Sequence, residues 1–139
     1  MGKVSHNVVV VIPDNALREL IGELISQFGH TPRLFDNEGD AMTKCSEEKF
    51  AAAVVVDWEL TKKYFPNILE KIYKVSPYTG RFVMVNMPYL EIREHIDKGD
   101  FCCYMQKPFA LEKFEKGLLS CITEYEEKIE NCACACSEN

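Results

Sequence analysis

The stretch that most constrains this chain is residues 51–59, AAAVVVDWE, in which six small or β-branched apolar residues run straight into Asp57. A half-exposed strand alternates apolar with polar residues. An unbroken apolar run predicts a strand buried on both faces, the central strand of a parallel sheet. Such a sheet needs helices on each side. The run ends on a carboxylate, and open α/β sheets bind ligands beyond the carboxyl ends of their strands, where strand order reverses. Asp57 is therefore a candidate working residue rather than only a solubilising acid.

Residues 8–12 (VVVVI) repeat the pattern and predict a second buried strand. It leads into Pro13, Asp14 and Asn15; Asp14 or Asn15 can cap the helix that follows. That helix, ALRELIGELISQF, carries Leu17, Leu20, Ile21, Leu24, Ile25 and Phe28 at three- and four-residue spacing, with Gly29 as its left-handed end. Residues 31–35 (TPRLF) predict an edge strand because of Pro32. Asp36 and Asn37 form a turn and cap before a helix over 38–48, with Ala41, Met42 and Cys45 on one face. After the central strand, a helix is predicted from Pro66, with Ile68, Leu69, Ile72 and Val75 as its apolar face. Residues 81–85 (RFVMV) form the fourth strand, ending at Asn86. A helix over 89–98 and a stop at Gly99 precede the last strand, 101–105. Gln106, Lys107, Pro108 and Phe109 lead to a long final helix, from Ala110 to about Asn131.

Five alternations of strand and helix predict a flavodoxin-like, doubly wound three-layer sandwich, its five-stranded parallel sheet in the order 2-1-3-4-5. At 139 residues, this is one domain. Residues 1–125 form the domain and 126–139 an acidic, cysteine-rich extension expected to be loose. In that order strands one and three are neighbours, so Asp14 and Asp57 are expected to face each other, with Asn86 and Lys107 on the same rim.

Composition narrows the function. Sixteen Lys and Arg stand against 22 Asp and Glu, a formal charge of -6, which argues against a phosphate-tracking nucleic-acid binder. No stretch approaches the roughly 20 apolar residues of a membrane span. The start, MGKVSHN, lacks the apolar core of a signal peptide, and seven cysteines is an odd number for a disulfide framework. A cytoplasmic protein is expected. Two facing carboxylates suit a hard divalent cation such as Mg²⁺, and a lysine opposite them suits a phosphoryl oxygen. A carboxylate can also be the nucleophile that forms an aspartyl-phosphate.

These residues resemble the receiver domain of two-component response regulators. The likeness covers roughly residues 7–122 and is carried by VVVVIPDNALRELIGELI, AAAVVVDWEL, FVMVNMP and YMQKPF. Lys107-Pro108-Phe109 after a strand is the most specific part; in the family a cis peptide commonly joins that Lys and Pro. The resemblance implies Asp57 as phosphoacceptor, and Asp14, Asp57 and the backbone carbonyl of Glu59 as Mg²⁺ ligands. It implies Lys107 as the phosphate-contacting amine and Tyr104 as the aromatic switch. Implied partners are a histidine kinase or phosphotransfer protein and a downstream protein target, bound through the face made by the 89–98 helix, the fifth strand and the final helix. The domain would be a signalling module rather than an enzyme, though it would catalyse transfer onto its own Asp57.

The chain departs from the pattern in three places. Pro13 stands where receivers carry a second acid, which weakens Mg²⁺ binding. Asn86 stands where they carry Ser or Thr, and removes the hydroxyl that swings toward the phosphate. One extra residue lies between Gly99 and Tyr104. The alternative reading is a pseudo-receiver, a phosphorylation-independent protein-binding module. A flavin or nucleotide binder is weaker still, since PDNA after strand one has no Gly-rich or Ser/Thr-rich phosphate cradle.

Other features weigh less. Cys132, Cys134 and Cys136 form C-x-C-x-C, which a soft metal could use, but structural zinc sites prefer C-x₂₋₄-C, and a tail of plain thiols is the favoured reading. Cys102 and Cys103 read as small hydrophobes on the last strand. Trp58 is equally a gate over the site and a packed loop aromatic. His6, His30 and His95 read as surface or loop residues. Tyr125 and Ile129 carry the final helix's stripe past the expected domain edge. That suggests either a homodimer or partner contact or a frayed charged end, the latter preferred.

Overall fold

The apolar runs do form the sheet predicted from them. In a computed structural model, residues 5–47, 51–57, 67–86, 103–107 and 109–138 are described, the side chains of 45–47, 67, 68, 70 and 132–138 excepted. The elements are β1 (Asn7–Val11), α1 (Asn15–Gln27), β2 (Thr31–Phe35), α2 (Glu38–Glu47), β3 (Ala53–Asp57), α3 (Asn67–Val75), β4 (Gly80–Val85), β5 (Cys103–Gln106) and α4 (Leu111–Glu138). The sheet has five strands in the order β2-β1-β3-β4-β5, every neighbouring pair parallel. Trp58, Glu59, Pro66, the predicted 89–98 helix with His95, Gly99, Cys102 and Pro108 lie outside the described residues, as do the thiols of Cys45, Cys132, Cys134 and Cys136.

Successive strand residues point to opposite faces, which divides the core in two. Val8, Val10, Ile12, Val55, Phe82, Met84 and Met105 pack with Ile21, Leu24 and Ile25 of α1 and with Phe114, Leu118, Ile122 and Tyr125 of α4. Val9, Val11, Val54, Val56, Val83 and Val85 pack on the other side with Ala41 of α2 and Leu69 and Ile72 of α3. A strand between two helical layers cannot alternate polar residues, hence the valine runs.

Local signals set the connections. Asp14 caps α1, its Oδ2 accepting from the backbone N–H of Leu17 at 2.8 Å. Gly29, at φ 92°, ends α1: its N–H donates to Ser26 O, and that of His30 to Ile25 O. This paired closure needs the left-handed conformation that glycine supplies. Asn37 caps α2 by accepting from the N–H of Asp40 at 2.9 Å.

Two features differ from the sequence reading. The final helix was expected to stop near Asn131, yet α4 continues unbroken to Glu138 over 28 residues. Nothing after Gly117 is Gly or Pro, and the alternating alanines favour helix. At 1.5 Å per residue α4 is about 42 Å long, more than twice a five-residue strand. Tyr125, expected at a frayed end, is instead buried in the core, and burial pushes its phenol above the ordinary range.

His6 explains part of this. Expected as a surface or loop residue, it does lie outside any helix or strand, and its ring packs edge-on to Tyr125 and stacks on His30, with its Nε2 2.8 Å from Glu126 Oε2. His6 precedes β1 and His30 precedes β2, so α4 is held at the edge of the sheet opposite Asp57. Its last turns project from there, and Ile129 is exposed.

Gly117 sets how closely α4 approaches the sheet. A Cβ there would stand 2.6 Å from the ring of the fully buried Phe82 and 3.2 Å from Cys103 Sγ. Alanine gains about 1 kcal/mol of helix propensity over glycine, whereas overpacking costs about 1–3 kcal/mol. Gly117→Ala is therefore expected to lower stability in urea unfolding; a stabilised variant would contradict this close packing.

Candidate functional site

Strand register gathers the site on one rim. Val11 pairs with Val56, and Asp57 with Met84 of β4. Met84 pairs with Met105, and Val85 with Gln106, the residue before Lys107. The carboxyl ends of β1, β3, β4 and β5 therefore lie side by side.

At the centre, Lys107 Nζ lies 2.8 Å from Asp57 Oδ2. The two residues are 50 apart in sequence and meet because β4 alone separates their strands. The Asp57 side chain is 7% exposed and that of Lys107 22%, so the carboxylate is sunk in the rim while the ammonium reaches solvent. The backbone N–H of Lys107 also donates to Val85 O at 2.8 Å, which continues the β4–β5 ladder one residue past the strand and fixes where the side chain starts. Asn86 follows at once and is exposed. Tyr104 is half-buried on β5 against the cluster of Val83 and Val85.

Asp14 stands on the same rim with a structural task, its carboxylate capping α1. The sequence reading missed Arg18. One guanidinium nitrogen donates to the carbonyls of Ile12 at 2.8 Å and Pro13 at 3.1 Å, and the other to Asn15 Oδ1. The clue was its place four residues after Asp14, where helical geometry folds a long side chain back over the loop. A cation thus braces the loop at Pro13.

This donor set bears on Mg²⁺. The ion takes about six oxygen ligands and needs carboxylates that are free to turn toward it. Among the described residues, no three His, Cys, Asp or Glu side chains gather as a metal group. Asp57 is engaged by an ammonium, Asp14 caps a helix and Pro13 offers no side-chain donor. The described residues do not by themselves assemble a site for the ion.

Beside Lys107, an apolar groove of about 520 Å³ runs between α1 and the start of α4, lined by Leu17, Leu20, Leu24, Phe109 and Leu111.

Solved structures share this architecture. A response regulator receiver domain protein from Clostridium thermocellum superposes with a TM-score of 0.77 at 16% identity, over 87% of this chain and 97% of that one. A response regulator from Thermotoga maritima does so at 0.75 and 21%, over 86% and 99%. The chain has the receiver-domain fold. An adenylate cyclase structure from Rhodopirellula baltica matches at 0.81 and 14%, over 95% and 98%, so the same fold also stands under an enzyme's name. No family model and no curated protein matches the sequence. No helix among the described residues is long and apolar enough to cross a membrane.

Proposed function

We propose that the protein is a signalling module of the receiver type, with Asp57 as the group that accepts a phosphoryl group and protein–protein contact as its output. The observation that carries this reading is the 2.8 Å pairing of Lys107 with a nearly buried Asp57 at the carboxyl end of the central strand. One carboxylate oxygen attacks phosphorus in line as the bond from phosphorus to the donor's leaving group breaks, and the leaving group departs with that electron pair. The product is an acyl phosphate on Asp57. The phosphoryl group carries roughly −1.5 to −2 charge by the rule for side-chain phosphates but replaces the charge of the carboxylate itself, so the site gains about one negative charge, and the Lys107 ammonium passes from carboxylate to phosphoryl oxygen. The donor is a histidine kinase or phosphotransfer protein, and the apolar groove beside Lys107 offers such a partner a surface close to the reacting atoms. No catalytic turnover on another molecule is assigned.

Mg²⁺, with Asp14, Asp57 and the Glu59 carbonyl as ligands, belongs to this proposal as a weak participant, and no step above runs through it. Pro13, together with the capping role of Asp14, favours the second reading, a pseudo-receiver that binds its partner without phosphate.

Incubation with acetyl phosphate, with and without Mg²⁺, followed by intact mass measurement, separates the two. One phosphoryl adduct is expected on the wild type and none on Asp57→Ala. An unmodified wild type leaves the pseudo-receiver; an adduct that survives Asp57→Ala removes Asp57 from its role.

A further inference from the structure

We propose that Cys103 and Cys121 form a reversible intramolecular disulfide under hydroperoxide, fastening β5 to α4. The proposal is independent of the phosphoryl chemistry. Cys103 opens β5, half-buried, and Cys121 lies fully buried on α4; both are reduced thiols in this structure. The two side chains are hydrogen-bonded to each other. They meet because two glycines let helix and sheet approach. Gly117, one helical turn before Cys121, has no side chain to hold α4 away from Cys103 Sγ. Gly80, at the start of β4, would bring a Cβ within 2.7 Å of Cys121 Cβ.

The pair divides the chemistry. Cys103, the less buried residue, is the one a small oxidant can reach. Its thiol is held below its ordinary pKa, chiefly by the hydrogen bond from Cys121; burial pushes the other way, and the backbone of Tyr104 adds a further lowering. Thiolate character is what makes a cysteine react with peroxide. The Cys103 thiolate attacks one peroxide oxygen, the O–O bond breaks, and with a proton a sulfenic acid and one water form. Cys121 sulfur then attacks the sulfenic sulfur, an S–S bond forms, and the hydroxyl leaves with the Cys121 proton as a second water. The peroxide supplies the two-electron oxidation. A buried second thiol beside the first makes closure faster than further oxidation. The bond would tie the strand that carries Tyr104 and leads into Lys107 to the helix packed behind it.

The test uses the full chain, reduced, desalted, treated with stoichiometric hydrogen peroxide, alkylated and digested with trypsin. The expected product joins the peptide over 99–113 to that over 117–128 within one chain, its mass lower by two hydrogen atoms and restored by dithiothreitol. Fragment spectra place the bond on Cys103 rather than its neighbour Cys102. In Cys121→Ser, which keeps a hydrogen-bond donor beside Cys103 but no thiol to resolve it, dimedone is expected to trap Cys103 as sulfenic acid. Three wild-type outcomes overturn the proposal: both thiols unchanged, dimedone-trapped Cys103 with Cys121 still alkylated, or a bond through Cys102. Because the wild-type map decides alone, a poorly folded variant does not rescue the idea.

Discussion

Lys107→Met lowers the free energy of unfolding by about 3 kcal/mol, as expected when one partner of a largely buried ion pair is removed. The substitution keeps much of the apolar stem and takes away the cation that lies 2.8 Å from a carboxylate whose residue is 5% exposed. Lys107 keeps 22% of its side chain in solvent, which sets the effect at the lower end for buried pairs. The opposite truncation is milder. Asp57→Asn preserves shape and some hydrogen bonding, and releases an ammonium that can turn to water, so it costs under about 1 kcal/mol. The double variant is expected to recover most of the loss, because no anion is then left facing the missing cation. Urea unfolding with an unchanged slope is the measurement. A Lys107→Met cost under about 0.5 kcal/mol would mean the pair behaves as a surface contact, and the electrostatic account of the rim would fail.

How much of this could be read beforehand depended on the residue. The valine runs of β1 and β3 allow only burial on both faces, so the layers and strand order were legible, and Asp57 stood out because a charge ends so apolar a run. The Lys107 pairing was legible only through the strand order, since nothing local links residues 50 apart. Asp14 was legible twice, as a cap and as a rim acid, and the structure displays the cap. Arg18 passed as one more helix-surface charge because its bonds go to backbone carbonyls, which leave no pattern in a sequence. The packing of His6 on Tyr125 was hidden for a related reason. Each looks exposed by its neighbours, and they bury each other only once α4 lies along the sheet. The end of α4 was placed near Asn131, short of Glu138, because no breaker marks it: neither Gly nor Pro follows Gly117.

Phe114→Ala is expected to have the largest effect of any single substitution considered, a loss of about 4 kcal/mol. Phe114 is fully buried on the first turn of α4, with ring centroids 5.9 Å from Phe28, 5.7 Å from Phe82 and 6.0 Å from Phe109. These rings come from the end of α1, from β4 and from the loop after β5, so the deletion opens a void where four segments meet. None can close it alone, because each is fixed by its own element. Single domains commonly hold about 5–15 kcal/mol in total, so the variant forfeits a large share of its stability. Leu119→Ala on the exposed side of the same helix is the control, expected within about 0.5 kcal/mol of wild type. The effect also reaches the rim. Phe109 is two residues from Lys107, and its packing on Phe114 helps hold the loop that aims the ammonium at Asp57. Even where Phe114→Ala remains folded at low temperature, its yield of acetyl phosphate adduct is therefore expected to fall below that of Leu119→Ala. Equal yields would show that the Lys107 loop is positioned by the β4–β5 ladder alone.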